Sequence, residues 1–353
     1  MRLETKIATL LMLAALAMSS CTKKTITPAE DPQPAEVGFT AASQAVWVKS
    51  AATKSASDFP HPSFGVWGIA RQGSLVYNLW GNDALMDVNK NTAGSYVPSE
   101  AAYWLKGYTY NFLAVAPCFE DEDEFSLTPI SPSTSSGDDI MTFTFDMSSK
   151  YATDDYSFDL LGAAAEQEVT SGGYSTAQEL VFWHLLSQIE IKNIGFSAGI
   201  AGTVTKVHLK AFPSGEYTIS YDNSTSNLTA PTKATCCAIT ENSANAAADK
   251  SDIIVLNPNF SSSTPIINII PQKVEYLELY IDFTINEGTT DNPILVEYQG
   301  FKIDLTAQEL DEYVYNGKYN WSITIGTKNT ISFEVVKVND WKTGNITNEF
   351  PLQ

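Results

Sequence analysis

Positive charge is what this sequence lacks most. Its 21 Lys and Arg stand against 41 Asp and Glu, a formal net charge of −20. Phosphate recognition needs clustered cations, so nucleic acid is excluded as a partner. An anionic membrane surface would repel the chain, and the charge instead suits solubility on a crowded exterior. Histidine and cysteine are scarcer still, at 3 and 4. His184 shares a strand face with Phe182 and Leu186 and reads as a core histidine. His208, between Lys206 and Lys210, reads as solvated, and His61 sits between Pro60 and Pro62 in a loop. No CxxC and no His/Cys spacing fits a metal, so neither metal nor cofactor is expected. Cys118, Cys236 and Cys237 read as small buried apolar residues. G-x-S-x-G, H-E-x-x-H and phosphate-loop motifs are missing, and no carboxylate pair singles itself out, so an enzyme is not expected. The acidic run Glu120–Glu124 lacks the alternating spacing of a calcium loop and reads as a solvated loop.

Long apolar runs are also wanting, with one exception. Ile7–Met18 is nearly unbroken, but at about 12 residues it is too short to span a bilayer. It follows Arg2 and Lys6 and precedes Ser19-Ser20-Cys21, the layout of a secretory signal over residues 1–20. A cysteine directly after small residues resembles the bacterial lipobox, although Met18 stands where Leu is more usual. That resemblance implies that Cys21 becomes an acylated N-terminus anchored in the outer membrane. Residues 21–36, with Pro28, Pro32 and Pro34, have no apolar period and read as a flexible tether.

Strand signals fill the rest. Leu277, Leu279, Ile281, Phe283 and Ile285 alternate with polar or amphipathic residues. So do Tyr319, Trp321, Ile323 and Ile325; Phe301, Ile303 and Leu305; Met141, Phe143 and Phe145; and Tyr108, Tyr110, Phe112 and Ala114. A period of two puts one side-chain set in a core and the other in water, the mark of antiparallel sheet. Ile331, Phe333 and Val335 return after a turn at 326–329, and the shift of apolar phase to Val336 and Val338 predicts a β-bulge. Helical periods are absent, apart from a capping-box pattern at Thr306–Glu309. The fold class is therefore all-β, a sandwich type. The Gly- and Ser-rich stretch 170–176 divides the body into 37–176 and 177–353, with one strand from Leu180 to Ile191 opening the second part.

Four stretches resemble the fimbrillin family, the type V pilins: Phe64-Gly65-Val66-Trp67-Gly68; Tyr103-Trp104 through Tyr110 to Ala116-Pro117; Phe182-Trp183-His184-Leu185-Leu186-Ser187-Gln188-Ile189; and Ile269-Ile270-Pro271-Gln272 with Asn316-Gly317-Lys318-Tyr319, Trp321 and Trp341. The resemblance implies two transthyretin-like β-sandwich domains in tandem, export as a lipoprotein, and a place in cell-surface fimbriae that support adhesion. It also implies assembly by proteolysis and donor-strand exchange: a protease removes the first strand, and a strand from another fimbrial subunit fills the gap by β-strand addition. In this chain the removable strand lies within 37–54, with Val37, Phe39, Ala41, Val46 and Val48 as its apolar residues. Cleavage follows a basic residue in the family, which points to Lys54, with Lys49 as the alternative; Arg71 follows a strand too far along. The stretch 346–353 is the natural donor, although it is short and weakly alternating. The competing reading is a surface lipoprotein that binds a glycan or host protein without polymerising, with exposed aromatics such as Trp80 or Tyr103 as stacking surfaces.

Overall fold

The computed structural model describes residues 34–43, 57–81, 85–119, 125–128, 139–170, 172, 176–221, 234–237, 250–256, 258, 265–306, 310–326, 330–339, 342–343 and 346–351. The first half supplies β1 (Phe39–Ser43), β2 (Ser57–Asp58), β3 (Ser63–Gln72), β4 (Leu75–Asn78), β5 (Met86–Lys90), β6 (Tyr96–Pro98), β7 (Tyr108–Ala116), β8 (Phe125–Leu127), β9 (Asp139–Asp146), the short helix α1 (Ser148–Ala152) and β10 (Leu161–Val169). It continues into β11 (Gln178–His184). All of these strands except β8 and β9 make a sheet in the order β11-β10-β7-β3-β5-β6-β1-β2, with β4 on the edge of β3, and β1 also pairs with β11. That last pairing closes the sheet into a ring. Phe39, Phe64, Val66, Val88, Tyr110, Phe112, Ala114, Leu161, Leu180 and Phe182 fill its interior.

β3 and β7 are covered on both sides. Their alternate residues Trp67, Ile69, Leu113 and Val115 leave the ring and pack against Met141, Phe143 and Phe145 of β9. Phe112, Leu113, Ala114, Val115 and Ala116 are all fully buried, so the 108–114 stripe marks only one of two covered faces. Loss of water from both faces requires a continuous apolar run, which is how Phe112–Ala116 reads.

The expected boundary at 176 falls between β10 and β11, yet β11 returns to the first sheet. The predicted Leu180–Ile191 strand is two strands, interrupted at Leu185–Leu186, where the chain passes from one sheet to another. Beyond lie β12 (Ser187–Phe196), β13 (Ala201–Ala211), β14 (Ser214–Tyr221), β15 (Ala234–Cys237), β16 (Ser251–Leu256), β17 (Ile266–Ile269), β18 (Gln272–Lys273), β19 (Glu278–Asn286), β20 (Leu295–Ile303), β21 (Glu312–Tyr313), β22 (Lys318–Ile325), β23 (Thr330–Asn339), β24 (Lys342–Thr343) and β25 (Ile346–Pro351). A β17-β12-β22-β23 sheet, edged by β24 and β25, faces a β16-β13-β19-β20 sheet. Strands β14 and β15 instead join β9 and β8. One apolar cluster runs from Trp67 through Tyr217 to Ile325, so the core is continuous across position 176.

Alternation is read correctly throughout β22 and in β19 as far as Phe283, with Ile285 only half-buried. The bulge expected at Val335–Val336 is not there: the β22–β23 ladder runs unshifted from Lys318↔Val338 to Ile325↔Ile331. A change of apolar phase does not by itself insert a residue in the ladder. Most of the Thr306–Glu309 capping pattern lies outside the described residues.

The same tyrosine anchor recurs in both halves. Tyr110 Oη accepts from Leu105 N at 2.7 Å and donates to the Tyr103 carbonyl at 2.9 Å. Tyr319 Oη accepts from Val314 N at 2.9 Å and donates to the Glu312 carbonyl at 3.5 Å, with the same sequence offsets. Each ring meets the aromatic between those two anchored residues edge-on, Trp104 at 4.8 Å and Tyr313 at 4.4 Å. The tight turn before each strand uses positive φ, at Gly107 and at Asn316. Such an anchor fixes a loop to the strand that follows it. Burial pushes the Tyr110 phenol up and that of Tyr319 up to about 12, so both stay protonated donors. Tyr110→Phe and Tyr319→Phe each leave a backbone amide short of its partner. Each should cost about 1–2 kcal/mol in chemical denaturation.

Candidate functional site

Strand β1 is the seam of the ring. It runs parallel to β11 in five consecutive pairs, Phe39↔Gln178 to Ser43↔Phe182, and Gln178 N donates to the Gly38 carbonyl at 2.8 Å. On its other side it meets β6 at Phe39↔Tyr96 alone, then β2 at Ala42↔Asp58 and Ser43↔Ser57. Upstream, Val37 N donates to Ala102 O at 2.8 Å and Trp104 N to Ala35 O at 2.9 Å. The seam thus makes one continuous ladder with β11, while its other edge is shared among β6, β2 and residues 102–104.

Val37 and Phe39 point into the ring and are buried, and Ala41 is half-buried. The Phe39 ring sits edge-on to Phe112 at 5.1 Å and Phe64 at 5.9 Å, geometry that favours aromatic pairs over simple contact. Phe59, just past β2, closes the end of the ring over Phe182 at 4.5 Å, with Tyr96 at 5.7 Å. Three of the five residues expected on the displaced strand are therefore brought together. Val46 and Val48 lie outside the described residues, as do Lys49 and Lys54, which fall on the connection between β1 and β2. Cys21 and the Glu120–Glu124 run are outside them too.

Arg71 is tied into the fold by an ion pair. Its guanidinium grips both oxygens of Asp139 on β9 and is 14% exposed, against 0% for the carboxylate. Asn111 Nδ2 donates to the same carboxylate at 2.7 Å. Burial holds Glu166 above the ordinary carboxylate range, with Arg71 opposing and Glu168 and Asp139 adding to it. This pair joins the ring to the β9 sheet. Sequence gave no sign of it, because 68 residues separate the partners.

His184 lies at the rim of the core, not within it. Its side chain is 38% exposed and its Nδ1 is 2.6 Å from Asp159 Oδ2. Burial alone would lower its pKa, but the Asp159 hydrogen bond and charge outweigh burial and raise it. His61 behaves oppositely: burial lowers it, His184 adds to this, and Asp159 opposes. A raised folded pKa contributes stability that is complete below the unfolded value near 6.5 and lost as pH rises through the folded value. The stability gap between the native protein and His184→Gln should therefore be widest near pH 5.5 and close by pH 8.5, read from denaturation midpoints at the two pH values.

His208 is not merely solvated. Its Nε2 is 2.6 Å from Asp252 Oδ1 on β16, and this hydrogen bond leads the causes that lower the Asp252 pKa. Cys118 is half-buried with Sγ against the Asp87 carboxylate, and Cys236 and Cys237 lie on β15 opposite Tyr217 and Glu216. No group of three His, Cys, Asp or Glu could hold a metal among the described residues. Trp80 lies on Gly68 and donates Nε1 to the Glu100 carbonyl at 3.0 Å, which makes it a packing residue; Tyr103 is 46% exposed.

The sequence profile of the fimbrillin-like family matches residues 55–341. The chain belongs to that family. Among solved structures it is similar to a proposed cell adhesion protein of Bacteroides uniformis at 15% identity, with 87% of this chain and 98% of the other covered and a TM-score of 0.44. It is also similar to a fimbrial assembly protein of Parabacteroides distasonis at 10% identity, with 81% and 91% covered and a TM-score of 0.35. No curated protein matches the fimbrillin-like sequence.

Proposed function

We propose that this protein is a non-catalytic subunit of cell-surface fimbriae, exported as a lipoprotein on Cys21 and activated by removal of its first strand. Cleavage after Lys54, or after Lys49, cuts the connection between β1 and β2. Strand β1 then leaves, and a strand from another subunit takes its place between β11 and β6. The observation that carries this reading is the seam strand itself, which makes five pairs with β11, shares its other edge among β6, β2 and residues 102–104, and fills an aromatic slot. Loss of β1 exposes the slot that Val37 and Phe39 fill, at about 1.5–3 kcal/mol for each large side chain, and frees the edge of β11. An open edge and a vacant apolar slot together favour an incoming strand.

The test is cleavage. Protein treated with a trypsin-like protease should lose residues up to Lys54 and then enter boiling-sensitive oligomers when mixed with other subunits of a fimbria. A Lys49→Ala/Lys54→Ala variant should remain monomeric in the same mixture. Oligomers from that uncleaved variant, or a cleaved protein that keeps residues 37–43 under native conditions and never associates, would overturn the reading.

A further inference from the structure

One end of the ring is closed by a short turn, and that turn carries a histidine whose surroundings suit only its neutral form. The turn is Phe59-Pro60-His61-Pro62, between β2 and β3. Phe59 lies over Phe182 at 4.5 Å and edge-on to Phe64 at 6.0 Å, where the pairing of β1 with β11 finishes at Ser43↔Phe182. Two bonds hold the turn down: Tyr96 Oη donates to the His61 carbonyl and Lys90 N to that of Pro62, both at 2.9 Å. Pro60 and Pro62 fix φ on either side of His61, so the turn moves as one piece.

The His61 ring stands 5.6 Å from that of Phe59, and its Nε2 is enclosed with no hydrogen-bond partner among the described residues. Two charged groups act on it from other elements. Asp159, before β10, favours a proton on it, and His184, at the end of β11, opposes one. Asp159 is already taken, at 2.6 Å from His184 Nδ1. On the β6 side, Tyr96 touches the His61 carbonyl, and burial pushes its phenol up, so it stays neutral. Lys90, with Nζ 5.6 Å from the Tyr96 ring centre, adds a further positive charge on that side. A proton on His61 therefore sets two imidazolium ions beside one carboxylate and leaves an enclosed N–H without an acceptor, which is costly. Lifting the turn gives that imidazolium water, and the Asp159–His184 bond, made between other elements, is kept.

We infer that Phe59–Pro62 is an acid-opened cap: a proton on His61 lifts the turn, and Phe59 with it, off the end of the ring, while the rest of the fold stays closed. The device works in the uncut chain and needs no second subunit. His61 resists protonation while the turn is closed and titrates in its ordinary range once it is open. The closed form is thus fully favoured above the ordinary value of 6.5 and loses ground as pH falls below it.

Hydrogen exchange of the full chain, corrected for the intrinsic effect of pH, tests this. Protection of segment 57–63, and of the Lys90 amide that donates to Pro62 only while the turn is down, should fall about tenfold between pH 7.5 and 5.5, as one proton driving the opening requires. Strand β22 should keep its protection. In His61→Gln the turn should be equally protected at both pH values. In His184→Gln, Asp159 is free to pair with His61, and the fall should shrink to roughly threefold. Equal protection of the native turn at both pH values, a fall in His61→Gln as large as in the native protein, or a loss in β22 together with the turn would each overturn the inference.

Discussion

Phe39→Asp lowers the stability of the uncleaved protein more than any other single change in the seam. The ring is fully buried and edge-on to Phe64 and Phe112, with no polar group to receive a carboxylate. Truncating such a phenylalanine to alanine costs about 3–5 kcal/mol through lost transfer energy and the cavity left behind. Aspartate adds the burial of a polar group with no partner. Thermal or urea denaturation should show the first transition move down by that amount or more. Differential hydrogen exchange should place the loss in β1, β11 and β6. An unchanged melting profile would mean that the ring stands without β1, and the removable-plug account would go with it.

Arg71→Ala is the second large effect, and it separates ion-pair chemistry from seam chemistry. Asp139 has no exposed surface, so removing the guanidinium strands a buried charge, at a cost of about 3–5 kcal/mol. Arg71→Met with Asp139→Leu should recover part of it, because apolar replacement of both partners removes the uncompensated charge. Recovery stays partial, since Asn111 then loses the acceptor it holds at 2.7 Å. A fall of less than about 1 kcal/mol for Arg71→Ala would mean that water reaches Asp139.

How much could be read in the residues depended on how local the cause was. β19 and β22 were legible because each buries one face, so the period of two survives in the side chains. The seam was legible in outline, because Val37, Phe39 and Ala41 alternate just after a proline-rich tether. Its partner was not: parallel pairing of β1 with β11 joins residues 139 positions apart, Phe39 with Gln178, and nothing local marks it. The split at Leu185–Leu186 was hidden by its own apolarity, since two buried leucines between strands look like residues inside one. His208 was misjudged because its flanking lysines suggested water, while the Asp252 that partners it comes from β16.

Parallel alignment of the seam has a mechanical consequence. Tension applied along β1 loads all five β11 pairs at once, so they resist together in shear instead of unzipping one after another. Through Leu185–Leu186 that tension passes straight into β12 and the second core, with no slack linker between. A protein built this way is stiff along the line from β1 through β11 to β12.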